Sequence, residues 1–138
     1  YMTDPLTNMT LLNYPPMPPQ SDSWGIHPHK DFNLLTLLAH DPIGGLEVRN
    51  RNDEWLSADC PSNGMVLNVG DMLELWSGGR LISTPHRVFN KSGKPRQSFP
   101  FFPAHAVSEV SKCAQLLLLY RWLYGGGVGG WCCACDVD

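Results

Sequence analysis

Charge is scarce in this chain of 138 residues: only 17% of positions are Asp, Glu, Lys or Arg, and they sum to −3. A balance so close to neutral argues against the basic stripe that nucleic-acid binding needs and the polybasic face that an anionic membrane attracts. Long apolar runs are missing too. A helix that spans a bilayer takes about 20 apolar residues, and the longest candidate, residues 116–124, is interrupted by Arg121. There is no internal repeat of useful length. Neither a signal peptide nor a disulfide framework is expected: of the five cysteines, three crowd together at Cys132, Cys133 and Cys135. These absences predict a soluble, cytoplasmic protein whose partner is a small molecule, with no nucleic acid and no membrane.

The chain is instead rich in turns. It holds 13 Gly and 12 Pro against 43% hydrophobic residues, which favours one globular, β-dominated domain. Strands are predicted at residues 9–14, 26–32, 34–38, 46–49, 54–58, 65–69, 81–89 and 96–102, about ten residues apart, a spacing that suggests a sandwich or barrel rather than βα units. Residues 34–38 are read as apolar on both faces and therefore internal. Residues 71–76 form a single predicted helical turn closed by Gly78-Gly79. After Ala104 the character changes: residues 105–124 are expected to carry a C-terminal helix, and 125–138 an irregular tail, flexible by its glycine content.

The chemistry concentrates at His29-Lys30-Asp31. On a strand, residues two apart share a face, so His29 and Asp31 converge while Lys30 points away. With His86 arriving from a distant strand, two imidazoles and one carboxylate make up the facial triad that holds Fe(II) and leaves positions open. The bland reading of each part alone is a solvated strand edge. Arg96-Gln97-Ser98 raises the odds, because Arg96 and Ser98 also share a face, and a guanidinium with a hydroxyl beside it would anchor an acidic co-substrate next to the metal. His27 shares the parity of His29 and Asp31 but is read as a lining residue. His40 and His105 are read as surface or loop, and Trp55 and residues 99–102 as core. The cysteine cluster, even with Cys113, lacks the second pair that a zinc site requires.

Asn13-Tyr14-Pro15, His29-Lys30-Asp31, residues 34–38, Gly44-Gly45-Leu46, Glu54-Trp55, Asn68-Val69-Gly70-Asp71, residues 83–88 and Arg96-Gln97-Ser98 form an ordered set. This set resembles the iron(II)- and 2-oxoglutarate-dependent dioxygenases, in the branch that includes isopenicillin N synthase and the plant flavonoid and gibberellin oxidases. The resemblance covers about residues 9–104 and implies, for that segment, an all-β double-stranded β-helix, a cupin-like jelly roll. It further implies His29, Asp31 and His86 as the catalytic iron ligands, Arg96 and Ser98 as the grip on the distal carboxylate of 2-oxoglutarate, and Tyr14 as a further contact. Fe(II), 2-oxoglutarate and dioxygen follow as cofactor and co-substrates, and the implied reaction oxidises, as a hydroxylation, a small organic substrate with release of succinate and carbon dioxide. The family variant that uses no 2-oxoglutarate stays open on these residues. The long N-terminal region of the family has no counterpart here beyond a remnant at residues 1–8, and the chain leaves the family pattern after Ala104. A partial gene product is therefore expected, and the alternative is a non-catalytic, metal-binding jelly-roll fragment.

Overall fold

The computed structural model describes residues 7–18, 23–58, 60–61 and 63–103. The expected C-terminal helix and tail, His105, Cys113 and the cysteine cluster lie outside the described residues, as does most of the stretch 1–8.

Among the described residues nine strands and one short helix follow in order: β1 (Asn8–Met9), β2 (Leu12–Tyr14), β3 (Ile26–His29), β4 (Leu35–His40), β5 (Leu46–Arg49), β6 (Trp55–Ser57), β7 (Val66–Val69), α1 (Asp71–Trp76), β8 (His86–Val88) and β9 (Arg96–Phe102). They form two antiparallel sheets. In the first, β9 is flanked on one side by β1 and β2 and on the other by β4, which pairs in turn with β7; the second runs β3-β8-β5-β6. The buried core is shared between them. Tyr14 and Val66 come from the first sheet and Leu46, Val48 and Val88 from the second, with Ala58 beside them and Leu12, Ile26, Leu38 and Cys60 packed around. Burying one face of each sheet against the other is the arrangement that a period-two pattern dictates. The result is the all-β jelly roll.

Strand β9 shows that period most plainly. Arg96, Ser98 and Pro100 are buried while Gln97 is exposed. Since His40 lies opposite Ser98 and Leu38 opposite Pro100, the side chains of Thr36, Leu38 and His40 share the interior face of β4. Leu37 points the other way and is 37% exposed, so residues 34–38 are not internal on both faces. Phe99 and Phe101, opposite Ala39 and Leu37, share that outer face and are only half-buried, so they do not fill the core. Trp55 is not core either: it stacks on the Arg87 guanidinium at 4.0 Å, on the outer side of the second sheet.

Other expectations also needed correction. The predicted strand 9–14 breaks into β1 and β2, both still paired to β9, with Thr10 N–H donating to the Pro100 carbonyl at 3.0 Å across the break. Of residues 81–89 only His86–Val88 is strand, because Pro85 has no N–H to continue a ladder. The helix matches its expected bounds, and Gly78 and Gly79, at φ 63° and 77°, close it in a conformation that other residues rarely adopt.

Candidate active site

Strand β3 stops at His29, so Asp31 sits in the loop before β4 rather than on the strand that carries His29. Strand parity therefore does not bring the two together; the start of α1 does. Gly70 N–H donates to the Leu34 carbonyl at 2.8 Å, Asp71 N–H to the Asp31 carbonyl at 2.8 Å, and Met72 N–H to the carbonyls of Phe32 and Asn33 at 3.2 and 3.3 Å. The first helical N–H groups, which have no partner inside the helix, thus grip the loop that carries the carboxylate. Gly70 is needed there for space alone. A Cβ would collide with the Asn33 carbonyl oxygen. From the same helix Glu74 Oε2 accepts from Lys30 Nζ at 3.3 Å and from Ser83 N–H at 2.8 Å, tying the loop to the segment that leads into His86.

His29 and His86 are register partners across β3 and β8, and their rings lie 4.3 Å apart. One ligand atom from each of His29, Asp31 and His86 falls within 4.8 Å of the other two. Asp31 Oδ1 is 3.7 Å from His29 Nε2 and 3.6 Å from His86 Nε2. Both imidazoles are set in tautomer by main-chain oxygens, which only accept: His29 Nδ1 lies 2.8 Å from the His27 carbonyl and His86 Nδ1 3.1 Å from that of Thr84. The lone pairs on Nε2 are left for a shared cation. Burial holds His86 below the ordinary imidazole range, opposed by the nearby Asp31 carboxylate, which favours the neutral form that ligates. The second carboxylate oxygen, Asp31 Oδ2, is occupied, since it accepts from Thr36 Oγ1 and Asn68 Nδ2, each at 2.6 Å. The donor set, two neutral imidazoles and one free carboxylate oxygen, fits a divalent first-row metal. His27 serves through its main-chain oxygen, and its ring stands near Trp24, 6.0 Å between centroids, outside the donor cluster.

The guanidinium of Arg96 is fully buried. Its Nε donates to the Gly44 carbonyl at 2.6 Å, its Cζ lies 4.9 Å from the centre of the Tyr14 ring, and Nη1 and Nη2 have no hydrogen-bond partner among the described residues. Burial works against the Arg96 charge, with Tyr14 and Asp41 opposing it. Ser98 Oγ is 3.4 Å from Tyr14 Oη. Strand pairing sets this cluster: Tyr14 lies opposite Arg96 and Leu12 opposite Ser98, so the Arg-x-Ser face and the tyrosine share one interior surface. A buried cation with idle donors is costly unless an anion completes it.

Three residues of this region carry no role in the sequence reading. Thr36 and Asn68 orient Asp31; the signal available was a lone hydroxyl in the apolar run 34–38 and the amide of Asn68-Val69-Gly70-Asp71. His40 belongs to neither loop nor surface: it is the last residue of β4, faces the interior, and its Nε2 is buried.

Residues 6–105 match the family model of the 2OG-Fe(II) oxygenase superfamily. The chain is 38% identical over 119 residues to a 2-oxoglutarate-Fe(II) type oxidoreductase of Emericella nidulans, covering 80% of this chain and 34% of that protein. It is 41% identical over 105 residues to a homoarginine-6-hydroxylase of Oryza sativa subsp. japonica, covering 72% and 32%. The crystal structure of full-length Neurospora crassa T7H in complex with alpha-KG is similar at a TM-score of 0.67 and 30% identity, over 71% of this chain and 33% of that one. The chain thus spans about a third of the length of these proteins. The family uses Fe(II), 2-oxoglutarate and dioxygen, and the co-substrate is seen bound in solved members such as the Neurospora crassa T7H complex and the dioxygenase for auxin oxidation 1 of Arabidopsis thaliana. By the extent of the family match and the agreement in fold, this chain belongs to the 2OG-Fe(II) oxygenase superfamily.

Proposed function

We propose that His29, Asp31 and His86 hold Fe(II), that Arg96 and Ser98 grip the distal carboxylate of 2-oxoglutarate with Tyr14 as a further contact, and that residues 9–104 form the oxygenase domain. The protein of which this chain is all or part would then hydroxylate a small organic substrate with release of succinate and carbon dioxide. The observation that carries the reading is a triad of metal donors and a buried, half-partnered guanidinium inside one sandwich. Bound Fe(II) supplies the redox chemistry that couples decarboxylation of the 2-oxo acid to oxidation of an unactivated carbon.

The side chains do the rest. The two imidazoles and Asp31 Oδ1 would hold Fe(II) with net positive charge and leave it able to take oxygen ligands. Thr36 and Asn68 hold Asp31 Oδ2, so that Oδ1 would be the oxygen offered to the ion. Arg96 gives a carboxylate two parallel donors, and the hydroxyls of Ser98 and Tyr14 add single ones. The homoarginine-6-hydroxylase relative supports a small organic substrate, and the net charge of −3 supports the absence of a nucleic-acid partner. Among the described residues no helix is long and apolar enough to cross a membrane, and the unpaired spacing of the cysteines supports a cytoplasmic setting.

The test is anaerobic addition of Fe(II) and 2-oxoglutarate to the chain, followed by oxygen. The expected result is a visible metal-to-ligand charge-transfer band and then succinate. A chain that gives neither would be the non-catalytic metal-binding jelly roll instead.

A further inference from the structure

Histidine 40 is the residue of the interior face that this reading leaves unused. It stands directly opposite Ser98 on the neighbouring strand, one step along the same face from Arg96, so it shares the surface on which Arg96, Ser98 and Tyr14 meet. Its Nδ1 lies 2.7 Å from the Asp41 carbonyl oxygen. That oxygen only accepts, so Nδ1 carries a proton. The buried Nε2 faces inward and has no hydrogen-bond partner among the described residues, as is true of Arg96 Nη1 and Nη2. Three buried nitrogens of this one strand face are thus without partners among the described residues.

The chemistry of that ligand decides what His40 must do. A carboxylate offers lone pairs only, and a histidine whose Nδ1 proton is already committed can meet it through Nε2 only as an imidazolium. Among the described residues the charged and titratable groups around the ring are few. On the interior face of the first sheet they are Arg96 from β9 and Tyr14 from β2. The facing sheet turns Leu46, Val48 and Val88 inward and, at the metal end, His86. Asp41, next in the chain, has its carboxylate engaged by the N–H groups of Ile43 and Gln97. A second cation beside the Arg96 guanidinium is opposed while no anion is present and is favoured once a carboxylate lies between the two.

We propose that His40 is a further binding residue for the distal carboxylate of the co-substrate, and that it takes up a proton from solvent as the dianion binds. This rests on the assignment of that pocket to 2-oxoglutarate. The neutral ring accepts one proton at Nε2, and the resulting N–H donates to the carboxylate; no other bond changes. Histidine is suited to the task because its charge changes in the physiological range.

The proposal is tested by calorimetric titration of 2-oxoglutarate into the Fe(II)-loaded chain under nitrogen, at about pH 7.5, in buffers of different ionisation enthalpy. Wild type is expected to take up about half to one proton per 2-oxoglutarate bound, with affinity falling up to about tenfold per pH unit as pH rises further. His40→Gln retains an N–H donor that does not titrate, so it is expected to bind within a few-fold of wild type with no proton uptake. His40→Leu is expected to bind about tenfold to a hundredfold more weakly, the worth of a hydrogen bond to a charged group. Binding by wild type without proton uptake, or uptake that persists in His40→Gln, overturns the role of His40 and leaves the pocket assignment standing. No binding of 2-oxoglutarate by wild type overturns both.

Discussion

The two ends of the interior face differ in how far they are finished. At the metal end the groups behind the three ligating atoms are already committed: Nδ1 of both imidazoles to main-chain oxygens, Asp31 Oδ2 to Thr36 and Asn68, and the loop that carries Asp31 to the first turn of α1. At the other end Arg96 Nη1, Nη2 and His40 Nε2 are buried with no partner among the described residues. One end is organised before any ligand arrives, which lowers the ordering cost of binding. The other holds a buried, only partly compensated charge, whose cost to the fold an anion would relieve. Mutations at the two ends should therefore separate affinity from stability in opposite ways.

The largest effect tests the finished end. His86→Ala removes one of the three proposed ligands and is expected to raise the Kd for Fe(II) at least about a hundredfold, more than the loss of a supporting group around a metal, as read by anaerobic Fe(II) titration. Arg96→Met comes next. Loss of a buried partner of a charge pair costs about 2–5 kcal/mol, so 2-oxoglutarate affinity is expected to fall by about two orders of magnitude while Fe(II) binding persists. Thermal unfolding of the ligand-free Arg96→Met chain should show no loss of stability, because an unpaired buried cation has gone. A drop as large as that of a core truncation would break the contrast. The smallest effect sharpens it: Thr36→Val combined with Asn68→Ala frees Asp31 Oδ2, and the expected loss is about tenfold to a hundredfold in Fe(II) affinity. Thr36→Ser alone keeps the donor and should keep the affinity. If the double variant bound Fe(II) as wild type does, the orientation of Asp31 would not depend on these donors.

Legibility in the sequence followed the range of the interactions. Strand β9 and helix α1 were readable because a period of two and a closing Gly-Gly are local signals. The stretch 81–89 was not, since hydrophobic pattern alone carried no hint that residues 81–85 leave the ladder. His29, Asp31 and His86 were grouped from spacing, yet the reason they meet is the grip of Gly70, Asp71 and Met72 on the ligand loop, a contact across about 40 positions that no window of sequence displays. His40 was misplaced because the Asp41-Pro42 turn after it masks the end of β4. Its opposite number, Ser98, becomes visible only once the register is known.

Gly70 sets a clock on the metal end. Its backbone, at φ −97°, is one any residue could adopt, so what it supplies is contact close enough for helix and ligand loop to share main-chain bonds. The amide hydrogens of Gly70, Asp71 and Met72 are the ones locked in those bonds, and they can exchange with solvent only when the loop lets go. Their exchange rates count how often Asp31 leaves its post.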